Sequence, residues 1–485
     1  MGNLKKNLSY QIAYRILTVI TPLITSPIVS RALGAEKLGV FSATQAFASY
    51  FYIIARLGIE KYGQRTIATA KDNSERNVLF WEIYKIQFWA ALIAIIMYYV
   101  TVISMGGERL LVMLCQGLWI VACLFDIGWF FFGIEEFKTT VTRNSIVKII
   151  TVICTIVFVK SPSDLIIYTI IMAGGTTLSH FVLWGALIKH VKYQKVNWNS
   201  ARKHIKPIIQ LFIPVIAISV YHLMDKSMLD ILSDEENVGW YYAVDKVVNI
   251  PLGMILAIGT VMLSRVSYTL KNETKKDVVY LLDKSAELTI FLTCAISFGI
   301  ATIAKEFIPF FFGPGYEPCV MLMYLFLPVL LIKSLGDIVR TQYLIAVGKD
   351  KIYSLAVIVG AVSNVIFNII MIPFFGAKGA VFGTLLAEFV VLCVQIGGCI
   401  KEIPFIKLFL KHGCYIVFGI LMMIVVRWII SNITLSNILL QLGVMVCLGA
   451  ITYLLMCLIY WMINRNSVFS AFIFRLFSRS KRNCN

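Results

Sequence analysis

The residues here that could do chemistry are charged side chains set inside long apolar runs. They are Arg15, Arg56, Lys85 and Asp126 in the first half, and Asp225, Lys226, Asp245, Lys246, Lys333, Asp337, Arg340 and Glu388 in the second. A charge at the centre of a bilayer costs at least about 2.5–3.5 kcal/mol on insertion scales, so each needs a partner, water or a ligand. Cations outnumber carboxylates in this set, which suits an anionic ligand. Guanidinium forks onto phosphate, whereas ammonium offers a point charge. Arg15, Arg340, Lys226, Lys246 and Arg56 are therefore the candidate substrate-binding groups, and Asp126, Asp225, Asp245 and Asp337 the candidate ion-pair or coupling groups. Lys333, Asp337 and Arg340 recur at i, i+4, i+7 and share one helix face. Asp225 and Lys226 point about 100° apart around a helix, so each is expected to pair elsewhere, with Lys246 and Asp245 as candidates. The bland alternative is that these pairs only pin helices, and that Arg56, Lys85 and Arg427 snorkel to the interface. Trp129, Tyr221 and Tyr242 are candidates to stack on the face of a ligand ring, against the ordinary reading of packing.

The elements that must position these groups are transmembrane helices. Of 485 residues 59% are hydrophobic and 14% charged, against about 25% charged in soluble domains. The apolar residues come in blocks of roughly 20, the length that crosses a bilayer core, and lipid forces such blocks into helices. About fourteen spans are expected between residues 9 and 463, among them 109–132, a short 145–160, 207–232 and a long 318–346. With both termini placed inside, 30 of the 44 Lys and Arg fall in inside segments and five on outside turns. That split predicts cytoplasmic termini and explains the +18 net charge without nucleic acid. The Cys residues are scattered singly through apolar runs and read as small hydrophobes. A basic, Phe-containing tail around 472–482 reads as a membrane-surface segment. Outside turns are too short for an external catalytic domain. The five His show no metal-ligand spacing and no phosphate-loop motif occurs, so no catalytic residues, metal or cofactor are expected, and an enzyme is disfavoured.

The halves echo each other. Leu33 to Ala43 (LGAEKLGVFSA) reappears as Leu232 to Ala243 (LSDEENVGWYYA) with one insertion, and Arg65 has a counterpart in Arg265. The 200–215 residue spacing is one six-helix unit, so the repeats run parallel, as in two-lobed transporters. The expected domains are an N-lobe at 1–206 (helices 1–6), a C-lobe at 207–400 (helices 7–12), and 401–485 with two appended helices and the tail, the binding site lying between lobes. Pro22, Pro27, Pro214, Pro251 and Pro328 are candidate kinks.

The stretch Ser30 to Gly39 (SRALGAEKLG), with Asp126 to Phe137 (DIGWFFFGIEEF), Asp225-Lys226, Val238 to Ala243 with Lys246, and Glu306-Phe307, resembles the O-antigen and capsule flippases of the multidrug/oligosaccharidyl-lipid/polysaccharide exporter superfamily. The resemblance runs from about residue 5 to 400. It implies an all-α polytopic protein of a bacterial inner membrane that carries undecaprenyl-diphosphate-linked oligosaccharide outward by alternating access. Implied partners are that polyprenyl-linked oligosaccharide, membrane lipids, and a polysaccharide polymerase with its chain-length regulator. The alternatives are a multidrug/cation antiporter and a peptidoglycan-precursor flippase of the same superfamily. Helix 1 carries Arg15 where the antiporters usually place a carboxylate.

Overall fold

The computed structural model describes residues 2–433 and 435–464, with Ser467 and Phe469; the side chains of 2–9, 11–13, 213–215, 217, 218 and 220–222 lie outside the described set. The tail expected at 472–482 and the side chains of Pro214 and Tyr221 therefore fall outside it.

The chain forms two compact units, 1–243 and 244–485. The first contains α1 (Gly2–Arg56), α2 (Ile59–Ala68), α3 (Asn73–Met105), α4 (Leu110–Gln116), α5 (Leu118–Phe125), α6 (Gly128–Gly133), α7 (Phe137–Phe158), α8 (Leu165–Leu187), α9 (Trp198–Ala201), α10 (Ile205–Leu232) and the opening turns of α11 (Glu235–Asn272). The second continues α11 and adds α12 (Lys275–Phe312), α13 (Pro318–Asp337), α14 (Ile345–Val347), α15 (Asp350–Phe375), α16 (Ala377–Gly397), α17 (Phe405–Lys411), α18 (Cys414–Ser431) and α19 (Ile438–Ile463). A π-helical segment, Ile338–Leu344, joins α13 to α14.

Eleven helices among the described residues are long and apolar enough to cross a membrane. Their outward faces suit lipid: Ile93, Ile96, Val100 and Ile103 form an exposed stripe along α3 at helical spacing. The first of the eleven joins two expected spans, because α1 is bent at Gly34, whose φ of 74° suits a residue without Cβ. The expected span 109–132 is not one helix; it breaks at Gly117 and again at Asp126. The expected short span 145–160 is a full 22-residue helix starting at Phe137, so Arg143 lies inside a helix rather than in a loop. The expected span 318–346 owes its length to the π-helical segment. Helices run through Pro22, Pro27, Pro251 and Pro328.

Glycines set the closest approaches. A Cβ on Gly379 would lie 2.3 Å from the Met371 carbonyl oxygen, and one on Gly383 2.1 Å from Asn368. Small residues let α15 and α16 pack backbone to backbone, as expected where burial of apolar surface cannot hold helices together. The two repeat turns meet in the same way. A Cβ on Gly39 would lie 1.7 Å from the Glu235 carbonyl oxygen, and one on Gly239 2.0 Å from that of Ala35. These glycines occupy equivalent positions of the repeat.

Candidate functional site

Asp126 closes α5 with ψ of 94°, and α6 restarts two residues later, its Gly128 N–H donating to the Asp126 carboxylate at 3.2 Å. A helix ending inside an apolar run leaves its last carbonyls without donor partners. Side chains from neighbouring helices supply them. Gln87 Nε2 donates to the carbonyls of Cys123 and Asp126, each at 2.7 Å. The Tyr84 hydroxyl donates to Leu124 at 3.1 Å and the Trp184 indole to Phe125 at 3.1 Å. The Gln87 side-chain oxygen then accepts from Trp129 Nε1 at 2.8 Å. Four consecutive carbonyls are thus capped, which is the condition for irregular backbone at membrane depth. Trp129 is buried in this network, so of its two readings the packing one fits: its indole helps to hold the break.

The break presents the Asp126 carboxylate to Arg56 and to the His180 ring. Its Oδ2 lies 3.3 Å from Arg56 and its Oδ1 3.2 Å from His180 Nδ1 on α8. The same Arg56 nitrogen reaches Glu60 at 2.7 Å, and the guanidinium lies 5.3 Å from the Tyr52 ring centroid. Arg56 sits where α1 gives way to α2, a corner marked by Leu57 at φ 46°. A Cβ on Gly58 in that corner would lie 2.4 Å from the Ile208 carbonyl oxygen, so α10 packs directly on it. The corner opens into a pocket lined by Tyr52, Arg56, Glu60, Lys61, Leu211 and Ser219. Arg56 does not simply snorkel; it is shared between two carboxylates at the pocket wall.

Arg143 is a residue that sequence reasoning missed. It is buried on α7, donates through Nε and one terminal nitrogen to Asn144, and leaves its other terminal nitrogen without a hydrogen-bond partner. The signal is a polar Thr142-Arg143-Asn144 run, which lies just before the expected span 145–160.

The remaining expected groups divide. Arg15 is exposed on α1. Asp225 is buried and accepts from the Tyr241 hydroxyl at 2.7 Å, while the Lys226 ammonium lies 5.3 Å from the Tyr242 ring centroid. Asp245 accepts from Asn249 at 2.6 Å, and Lys246 is half-buried. The Lys333, Asp337, Arg340 row is real but internally engaged. Asp337 accepts from Arg340 at 3.0 Å and Thr341 at 2.6 Å, and Lys333 faces Glu388 at 3.7 Å. A Cβ on Gly259 would lie 2.0 Å from Asp337 Oδ2, so α11 covers this carboxylate. Arg427 pairs with Glu306 at 2.7 Å rather than snorkelling.

Similarities to known proteins follow this geometry. A "Putative O-antigen transporter" of Escherichia coli K12 is 23% identical over 406 residues, covering 81% of this chain and 96% of that protein. The "Probable low-salt glycan biosynthesis flippase Agl15" of Haloferax volcanii is 21% identical over 298 residues, covering 61% of this chain and 62% of that protein. Among solved structures, the lipid II flippase MurJ in an inward closed conformation superposes with TM-score 0.72 at 18% identity, covering 94% of this chain and 98% of that one. An inward-facing multidrug resistance MATE family transporter reaches 0.63 at 15% identity, covering 81% and 96%. At these identities the structures establish the fold alone, that of an all-α polytopic membrane protein. Residues 4–270 match the family described as polysaccharide biosynthesis protein, more than half of the chain, and the chain belongs to that family.

Proposed function

We propose that the chain is a flippase that moves undecaprenyl-diphosphate-linked oligosaccharide from the cytoplasmic to the outer leaflet of a bacterial inner membrane by alternating access, for surface polysaccharide synthesis. Polysaccharide flippase function at the coarser level is supported by the family and by the transporter and flippase names of the relatives. The observation that carries the finer reading is the Arg56 corner. A guanidinium balanced between Glu60 and Asp126 at a pocket wall can exchange a carboxylate for a phosphate, because charge-assisted bonds of the same kind form on both sides of the exchange. Arg143, buried with an unpartnered nitrogen, is a second cation in the same unit. Lys226, Lys246, Arg340 and Arg15 are assigned to the path of the anionic head group. Asp126, Asp225, Asp245 and Asp337 are their counter-charges. Both termini are assigned to the cytoplasm from the Lys and Arg bias, and the lobes to 1–206 and 207–400. A polysaccharide polymerase and a chain-length regulator are the proposed protein partners.

The test is deletion of the gene and complementation. Deletion is expected to abolish surface polysaccharide and accumulate lipid-linked repeat units on the cytoplasmic side, with the wild-type chain restoring both. Normal surface polysaccharide in the deletion strain would refute the proposal.

A further inference from the structure

Two buried carboxylates away from the Arg56 corner are gripped in the same way. On α3, Glu82 is 1% exposed; it faces Lys203 Nζ at 2.9 Å and His204 Nε2 at 2.8 Å. On α12, Asp283 is 8% exposed; it accepts from Lys411 Nζ at 2.6 Å and faces His412 Nε2 at 2.9 Å. Both His are buried, and both Lys-His pairs stand just before a long helix, α10 in one unit and α18 in the other. Carboxylate and His are 122 residues apart in the first cluster and 129 in the second. From one cluster to the other the carboxylate is displaced by 201 residues and the Lys-His pair by 208, the spacing of the internal repeat, with Asp where the first copy has Glu. Neither cluster was visible as a repeat in sequence, because the conserved element is a pairing and not a string.

Further bonds tie each linker to its own unit. The Trp81 indole donates to the Lys192 carbonyl at 3.0 Å and Lys85 Nζ to that of Val196 at 3.1 Å, so the segment before α10 lies along α3. The Tyr62 hydroxyl reaches His204 Nδ1 at 2.5 Å. In the second unit Lys349 and the Tyr343 hydroxyl bind Glu402, holding its carboxyl below the usual range. The opposite end of α10 is held differently. Arg109 pairs with Asp230 and Glu235, each at 2.6 Å, among side chains 26–40% exposed; in the two clusters Lys203 and Lys411 are themselves solvated, and it is the carboxylate–His pairs that are buried. Solvated pairs are weak and easily exchanged, whereas removing one partner of a buried pair leaves an uncompensated charge.

We propose that the Glu82–Lys203–His204 and Asp283–Lys411–His412 clusters are duplicated anchors. Each fixes the cytoplasmic end of the helix that follows it throughout transport, and for α10 the Arg109 contacts at the other end are the ones that release. Glu82, His204, Asp283 and His412 are positioning residues in this scheme, which rests on the alternating-access reading. Three measurements test it. First, Glu82→Asp and Asp283→Glu, which exchange the residues of the two copies, are expected to keep surface polysaccharide. The isosteric but neutral Glu82→Gln and Asp283→Asn are expected to lower it about tenfold or more, as loss of a buried charge partner does. Equal activity in the amide variants would reduce the clusters to packing and overturn the proposal. Second, reporter cysteines replacing Ser200 or Lys407 are labelled with a membrane-impermeant maleimide in inverted vesicles, in a background freed of native cysteines. Glu82→Gln is expected to raise labelling at 200 alone and Asp283→Asn at 407 alone; unchanged labelling at both refutes anchoring without reference to the cargo. Third, a disulfide between Asn77→Cys and Lys192→Cys, where the Asn77 side-chain oxygen and the Lys192 N–H lie 3.4 Å apart, is expected to leave transport intact. Arrest by that crosslink would show that this end moves. The deletion phenotype separately reports on the function itself.

Discussion

At the scale of single residues, the Arg56 corner and the Asp126 break make opposite demands. Arg56 lies between Glu60 and Asp126 and in the proposed function exchanges one of them for phosphate, so Arg56→Ala is expected to abolish surface polysaccharide while protein stays in the membrane at normal level. Arg56→Lys is expected to restore part of it, since an ammonium supplies charge without the planar fork. The readouts are polysaccharide on gels and protein by immunoblot; loss of the protein itself would assign Arg56 a structural role. Gln87 is placed to do the reverse. Gln87→Leu removes the donors to two carbonyls and the acceptor of an indole, and each unsatisfied buried group costs about 1–3 kcal/mol. That variant is expected to lose thermal stability and abundance in detergent before any specific transport defect is measurable. The charged residues were legible in sequence because charge in an apolar run stands out, and Arg56 and Asp126 do meet. Their partners were not: Gln87, Tyr84 and Trp184 are unremarkable in composition, and become significant only once three helices bring them to one helix end.

At the scale of elements, hydropathy placed the long helices but could not place their breaks. A helix of apolar residues and one interrupted at Asp126 look alike to a sliding count, because the break is made good by hydrogen bonds from outside the segment. The π-helical segment after Asp337 is invisible too, because its i→i+5 bonding leaves composition and hydropathy unchanged. The repeat was readable where it consists of glycine, since Gly39 and Gly239 each allow another backbone to come close. A methyl group there meets a backbone carbonyl, which cannot rotate away as a side chain can. Gly39→Ala and Gly239→Ala are therefore expected to push the two turns apart and to lower transport severely with normal membrane insertion. Gly185→Ala, where a Cβ would meet nothing within 4 Å, is the control and is expected to retain activity, costing only what a helical Gly-to-Ala change does. Equal activity of all three variants would mean that close contact of the turns is dispensable.

At the scale of the whole molecule, topology and motion are linked. On the proposed orientation, which the Lys and Arg bias predicts, a reporter after Gln194 is expected to read inside and one at 305–317 outside. With that orientation, the contact of Gly39 with Glu235 and the pairing of Arg109 with Asp230 and Glu235 lie on the outer side. A carrier that delivers its cargo outward must open that side once per cycle, since a site accessible from both sides together would leak. In that reading the contact combines close backbone surfaces with the Phe41–Tyr242 ring contact, and its ion pairs are ones that water can replace at small cost. Cysteines at Glu36 and Glu235, in a background freed of native cysteines, are expected to crosslink readily and to stop transport when linked, with activity returning on reduction. Arg109→Ala is expected to weaken the crosslink by favouring the open state, and Arg109→Lys to restore it in part. Transport that continues in fully crosslinked protein would place the opening elsewhere, and would leave the paired glycines with a purely structural role.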